Sequence, residues 1–153
     1  MKHFLKRVEI KTREPTRIYD ITTSIERLVE ESKFSDGHVL VQPMHTTTGV
    51  YCNEFEDFLI EDLIRHLNDQ APQIQGKYRH DNIAERDCPP DEPKNGHSHI
   101  KAALYSNHSV SLILYERSLQ IGQYQRILFA EFDGPCPRRH KGTREYLVSI
   151  LGE

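Results

Sequence analysis

Nine histidines are spread through 153 residues, and four of them fall in three short clusters: His45-Thr46-Thr47-Thr48-Gly49, Tyr78-Arg79-His80-Asp81 and His97-Ser98-His99-Ile100-Lys101. Each cluster sets an imidazole among hydroxyl, acidic or basic side chains at the edge of an apolar segment. A neutral imidazole can ligate a metal or take up a proton near neutral pH. Three of them converging with a water at the fourth position make a catalytic zinc site, and His45, His80 and His99 are the candidates. Their separations, 35 and 19 residues, match no local ligand signature such as HExxH. Surface or hydrogen-bonded histidines therefore stand as the competing reading. His97 competes with His99, because side chains two apart share a direction in a strand and diverge in a helix.

Other groups add to this chemistry. A hydroxyl-rich turn at Thr46-Thr47-Thr48-Gly49 could hold an anion through OH and backbone NH groups, although it lacks the Gly spacing and Lys of a phosphate loop. Asn53 and Glu54 could orient a ligand or a histidine, or simply cap a helix. Arg138 and Arg139, in the run from Gly134 to Lys141, offer forks that match phosphate oxygens, and Lys101 adds a point charge. Cys52, Cys88 and Cys136 have no nearby base to activate them. Glu131 and Asp133 alternate and should share a strand face, serving as an acid or base or as part of a polar outer surface.

Several elements must position these groups. Phe4, Val8 and Ile10 suggest an edge-like first strand. Thr23-Ser24-Ile25-Glu26 has the capping-box form and predicts a helix that fails before Ser35-Asp36-Gly37. His38 to Met44 reads as a buried strand. Phe58, Leu59, Leu63, Ile64 and Leu67 predict a helix over Glu56 to Asn68, closed by Ala71-Pro72. Asn82 to Gly96, with Pro89, Pro90 and Pro93, reads as a long loop of the kind that often carries function. A short helix fits Ser98 to Tyr105, with Ser98 as its cap. Strands are predicted over Val110 to Tyr115, Leu119 to Ile121, Gln125 to Phe132 and Tyr146 to Leu151. The pattern is a single α+β domain over 1–153, a mainly antiparallel sheet or sandwich with about three helices.

Composition narrows the classes further. At 37% hydrophobic, 28% charged and a formal charge of −3, the chain is not the basic protein that nonspecific nucleic-acid binding requires. No apolar run approaches the roughly 18 residues of a membrane span. The N-terminus lacks the continuous apolar core of a signal peptide. Three widely spaced cysteines without a CxxC pair suit a reducing cytoplasm rather than a disulfide framework.

Read in order, the motifs resemble the YjbQ-like family, the secondary thiamine-phosphate synthase enzymes. The match runs from His45-Thr46-Thr47 and Asn53-Glu54 through Tyr78-Arg79-His80-Asp81 and Ser98-His99-Ile100-Lys101. It continues through Leu119-Gln120-Ile121-Gly122-Gln123-Tyr124-Gln125 and Glu131-Phe132-Asp133-Gly134-Pro135 to Leu151-Gly152-Glu153. Tyr124 stands where the family often has Trp.

The resemblance implies a β-sandwich-like α+β fold, a homotrimer with sites near subunit contacts, and a polar pocket gathering His45, His80 and His99. There, zinc or magnesium would bind, with His45, Glu54, His80 and His99 as the catalytic set. The implied reaction joins a pyrimidine diphosphate to a thiazole phosphate and releases pyrophosphate. Thr46, Thr47, Asn53, Lys101, Arg138 and Arg139 would hold this phosphorylated substrate, the cationic members serving the leaving group. A metal-dependent hydrolase and a non-catalytic trimeric metabolite- or metal-binding protein are the alternatives.

Overall fold

Alternation of apolar and polar side chains organises most of the chain into antiparallel strands. The structure, a computed structural model, describes residues 1–135 and 142–153. Among the described residues, eight strands form two sheets. The larger has the order β1 (Lys2–Lys11), β8 (Thr143–Gly152), β3 (Gly37–Pro43), β5 (Val110–Tyr115), β6 (Ser118–Leu119). The smaller is β2 (Arg17–Asp20), β7 (Arg126–Glu131), β4 (Thr48–Asn53). The described residues also form three α-helices: α1 (Thr22–Ser32), α2 (Asp57–Gln70) and α3 (Gly96–Tyr105).

The sheets meet face to face. Val39 and Val41 of β3, Leu112 and Leu114 of β5, and Tyr146, Val148 and Ile150 of β8 pack against Val50 of β4 and Ile127 and Phe129 of β7. Ile25, Leu28 and Val29 of α1 join this core. The opposite face of the small sheet presents Ile18, Leu128 and Ala130 to Ile60 and Leu67 of α2 and Ala102 of α3. Strand β7 thus feeds two cores by simple alternation. The outer face of the large sheet carries Leu5, Leu40, Ile113 and Leu151, all exposed.

Several local expectations are corrected. Helix α1 starts one residue before Thr23, and its N-cap position is Ile21, which has no capping side chain. Asp20 Oδ1 instead accepts from Thr22 N at 2.8 Å, while Thr22 Oγ1 accepts from Ile127 N. The strand expected to be wholly buried alternates, because only one face of its sheet is covered: Val39 and Val41 are fully buried and Leu40 is exposed. The Thr-rich turn ends early, since Thr48 opens β4, an unpredicted strand paired with β7. The Tyr78–Gly96 stretch contains two 3₁₀ turns, Arg79–Asp81 and Ile83–Glu85. Helix α2 is capped by Glu56, whose carboxylate accepts from the amides of Phe58 and Leu59 and is held below the usual carboxylate range by them. Cys52 and Cys88 are free thiols, and burial pushes the Cys52 thiol up. Among the described residues, no helix is long and apolar enough to cross a membrane.

Candidate functional site

The inward alternation of β7 and β8 runs on past the apolar core to two charged residues. Glu131 follows Ile127 and Phe129 on the inner face of β7, and Arg144 precedes Tyr146 and Val148 on that of β8. Glu131 is not the polar outer-face residue expected from sequence; it is 0% exposed. Arg144 Nε donates to Glu131 Oε2 at 2.6 Å and Nη2 donates to Oε1 at 2.8 Å. Thr12 donates its hydroxyl proton to Glu131 Oε2. Arg144 Nη2 also reaches Thr47 Oγ1 at 3.3 Å and the Asp133 carbonyl at 3.2 Å. A buried ion pair needs such extra hydrogen bonds to offset its desolvation.

This network fixes the loop leaving β7, and the loop fixes the histidines. Asp133 N donates to Glu131 Oε1, and Asp133 Oδ2 accepts from Asn95 Nδ2 at 2.7 Å. That bond settles which end of the Asn95 amide is oxygen, so Asn95 Oδ1 accepts from His80 Nε2 at 3.2 Å. With its proton on Nε2, a neutral His80 keeps its lone pair on Nδ1. Asp81 Oδ1 accepts from Gly96 N at 2.9 Å, tying the 3₁₀ turn to the start of α3. Gly96 is required there: a Cβ would stand 2.6 Å from Tyr78 Cβ. Arg86 donates to the His80 carbonyl at 2.6 Å.

His80 and His99 meet edge to face, with ring centroids 4.6 Å apart at 64°, and both are half-buried. Burial, then the charge His80 carries when protonated, hold His99 below the usual imidazole range. A neutral His99 beside a second imidazole is an acid–base couple able to take a proton from one substrate atom and return it to another.

The other sequence-predicted groups lie around or away from this pair. His45 is half-buried, and its Nε2 accepts from Glu145 N at 3.0 Å. That bond engages the Nε2 lone pair a metal would need. Two imidazoles fall short of the three protein ligands of a catalytic zinc site. Asp81 and Asp133 are already hydrogen-bonded, and among the described residues no set of three His, Cys, Asp or Glu side chains is arranged around a metal position.

Thr47 is buried on Arg144, whereas Thr46 is exposed. Asn53 and Glu54 are exposed; Asn53 borders a separate cleft with Tyr51, His66, Tyr105 and Phe132. Ser98 is not a cap. It sits inside the first turn of α3 and donates to the Phe132 carbonyl at 2.6 Å, while Asn95 holds the cap position. His97 and Lys101 share the face of α3 turned from His99, four residues apart. Arg138, Arg139 and Cys136 lie outside the described residues.

Sequence reasoning missed Arg144 and Asn95. The signal for Arg144 was its place, with Tyr146, Val148 and Ile150, on one face of a period-two strand. Asn95, inside a proline-rich loop, gave none.

The comparisons agree with this architecture. The family model described as UPF0047 protein YjbQ-like matches residues 6–153. A UPF0047 protein of Archaeoglobus fulgidus is 40% identical over 130 residues, covering 85% of this chain and 92% of its own. The UPF0047 protein YugU of Bacillus subtilis is 30% identical over 149 residues, covering 97% and 99%. Among solved structures, a YbjQ-like protein of unknown function from Sulfolobus solfataricus superposes with a TM-score of 0.83 at 26% identity, covering 99% of each chain. An uncharacterised protein of the family from Clostridium acetobutylicum gives 0.78 at 33% identity, covering 95% of this chain and 99% of its own. The chain belongs to the YjbQ-like UPF0047 family.

Proposed function

We propose that the chain is a small-molecule enzyme working by imidazole acid–base chemistry at the His80–His99 pair. The observation that carries this reading is the oriented ring contact. His80 is held through Asn95 and Asp133, and those rest on the buried Glu131–Arg144 pair. A relay so fixed keeps its proton donor and acceptor in place before substrate arrives, which is where acid–base catalysis gains its rate. The first reaction to test is the one the family resemblance implies, attack of a thiazole-phosphate nitrogen on the methylene of a pyrimidine diphosphate. The N–C bond forms as the C–O bond to pyrophosphate breaks, and a protonated imidazole can place its proton on the departing oxygen.

The test is product formation from the two phosphorylated heterocycles by wild type, His80→Ala and His99→Ala. Turnover should fall about 10²–10⁴-fold in both variants. Full activity in His99→Ala would rule the pair out as the working site. Saturable substrate binding without product would favour a non-catalytic metabolite-binding protein instead. A metal-dependent hydrolase is the weaker reading, because His45 spends its lone pair on the Glu145 amide.

The proposed assembly is a homotrimer in the cytoplasm. Its support is the bare outer face of the large sheet, where Leu5 and Leu40 flank Ser149, and Leu151 and Ile113 flank His38. A second and third copy would cover these side chains.

A further inference from the structure

On the face of α3 turned from His99, a cleft of about 440 Å³ opens between the β1–β2 connection, α2 and α3, with Glu14, Thr16, Asn68, Gln73, His97 and Lys101 among its walls. Lys101 is 2% exposed. Its ammonium donates to Asn68 Oδ1 at 2.6 Å and to Thr16 Oγ1 at 3.2 Å, both neutral acceptors. Among the described residues no carboxylate pairs with it; Glu14, on the rim, faces Arg17 at 3.5 Å. A buried cation satisfied only by neutral groups carries an unbalanced desolvation cost.

The cleft has more donors than acceptors. An ammonium has three protons, and two are placed on Asn68 and Thr16. Because both side chains accept from Lys101, the Asn68 amide and the Thr16 hydroxyl keep their own protons for another partner. Gln73 can add an amide. The wall beside them is unmet too. Ser98 has one proton, given to the Phe132 carbonyl, so His97 Nε2 must be the donor in its 3.2 Å bond to Ser98 Oγ. His97 Nδ1 is then a buried atom without a hydrogen-bond partner, in a residue only 5% exposed. The cleft therefore combines an unneutralised positive charge with a converging set of donors; the His97 Nδ1 lone pair beside it is an acceptor, suited to a ligand hydroxyl rather than to a charged oxygen.

We propose that this cleft is a second binding site, for a small oxyanion of the phosphate or carboxylate type, with its charge on Lys101 and its oxygens on Thr16, Asn68 and Gln73. It is separate from the His80–His99 pair, since the two sites use different faces of one helix.

Calorimetric titration of the full chain with inorganic phosphate and with acetate, at constant ionic strength, tests this. Wild type should bind one anion per chain, and its melting temperature should rise with anion concentration. Lys101→Met should weaken binding by about tenfold or more. Asn68→Asp supplies the missing carboxylate from within; it should displace the anion and raise the melting temperature in anion-free buffer. His99→Ala should bind as wild type does, which separates this site from the proposed catalytic pair. Tighter binding of phosphate or of acetate identifies a tetrahedral or a planar ligand, and either upholds the site if Asn68→Asp loses it. No saturable binding of either anion by wild type overturns the proposal. So does unchanged binding in Asn68→Asp, which decides the matter should Lys101→Met fail to fold.

Discussion

Glu131 and Arg144 face one another across the two sheets, joined by hydrogen bonds of 2.6 and 2.8 Å and shut off from water. They occupy the position at which the sandwich interior changes from apolar packing to the polar groups behind His80. Removing one partner leaves the other charged and buried. Arg144→Ala should therefore cost about 3–5 kcal/mol of stability, and Glu131→Gln less, since the amide still accepts one bond. Urea denaturation of both variants checks this; an Arg144→Ala midpoint equal to wild type would show that the pair does not secure this end of the core.

Asn95 lies between Asp133 and His80 and dictates which imidazole nitrogen holds the proton. Asn95→Ala should release that choice. Imidazole nitrogen shifts of His80 should move from a single Nε2-protonated form to a mixture, and turnover should fall about 10–100-fold. A shift pattern identical to wild type would mean that the ring is held by something other than Asn95.

Acid should destabilise the fold through His97 and His99. Burial, assisted by Lys101 for His97 and by His80 for His99, holds both below the ordinary imidazole value of 6.5. In the unfolded chain they accept protons as pH falls through 6.5, while the folded chain still refuses them. Stability is thus full above that value and declines as pH drops from it toward the lower folded values. His97→Gln should flatten this decline. Chemical denaturation between pH 5 and 8 reads it directly (both limits about one to two units from the ordinary imidazole value), and a variant curve as steep as wild type would count against His97.

Much of this was legible in residue order. Val110 to Tyr115 falls where alternation put it, and α2 was marked by the spacing of Leu63, Leu67 and their neighbours. Strand β4 was not legible, because Thr48 and Gly49 read as a turn until β7 supplies their partners. The β5–β6 hairpin turns on Glu116 and Arg117, both at positive φ, without the Asn-Gly that would announce it. At the site, the meeting of His80 and His99 depends on Asn95 and Asp133, which lie 38 residues apart. Such a long-range amide–carboxylate bond leaves no periodic trace. The bond that the Glu145 amide makes to His45 Nε2 is equally invisible in residue order, since its partners lie 100 residues apart.

The outer face of the large sheet gives a separate expectation. Leu40 is exposed and opposes no core side chain, so Leu40→Glu should leave the protomer folded while placing a charge in the proposed subunit contact. Light scattering should then report a mass near the 17.9 kDa protomer, against three times that for wild type. A wild-type protein that is already monomeric at micromolar concentration would remove the trimer.

Strand β7 sends Ile127 and Phe129 to one core and Leu128 and Ala130 to the other. Neither half can loosen without withdrawing support from the strand that the other half also needs. The molecule should therefore melt as one cooperative unit, with the β7 amides among the last to exchange their hydrogens for deuterium. Damage on the helical side of the small sheet would reach the far sheet through β7, and through β2 and β4, which straddle the same two cores with Ile18 and Tyr19 and with Val50 and Tyr51.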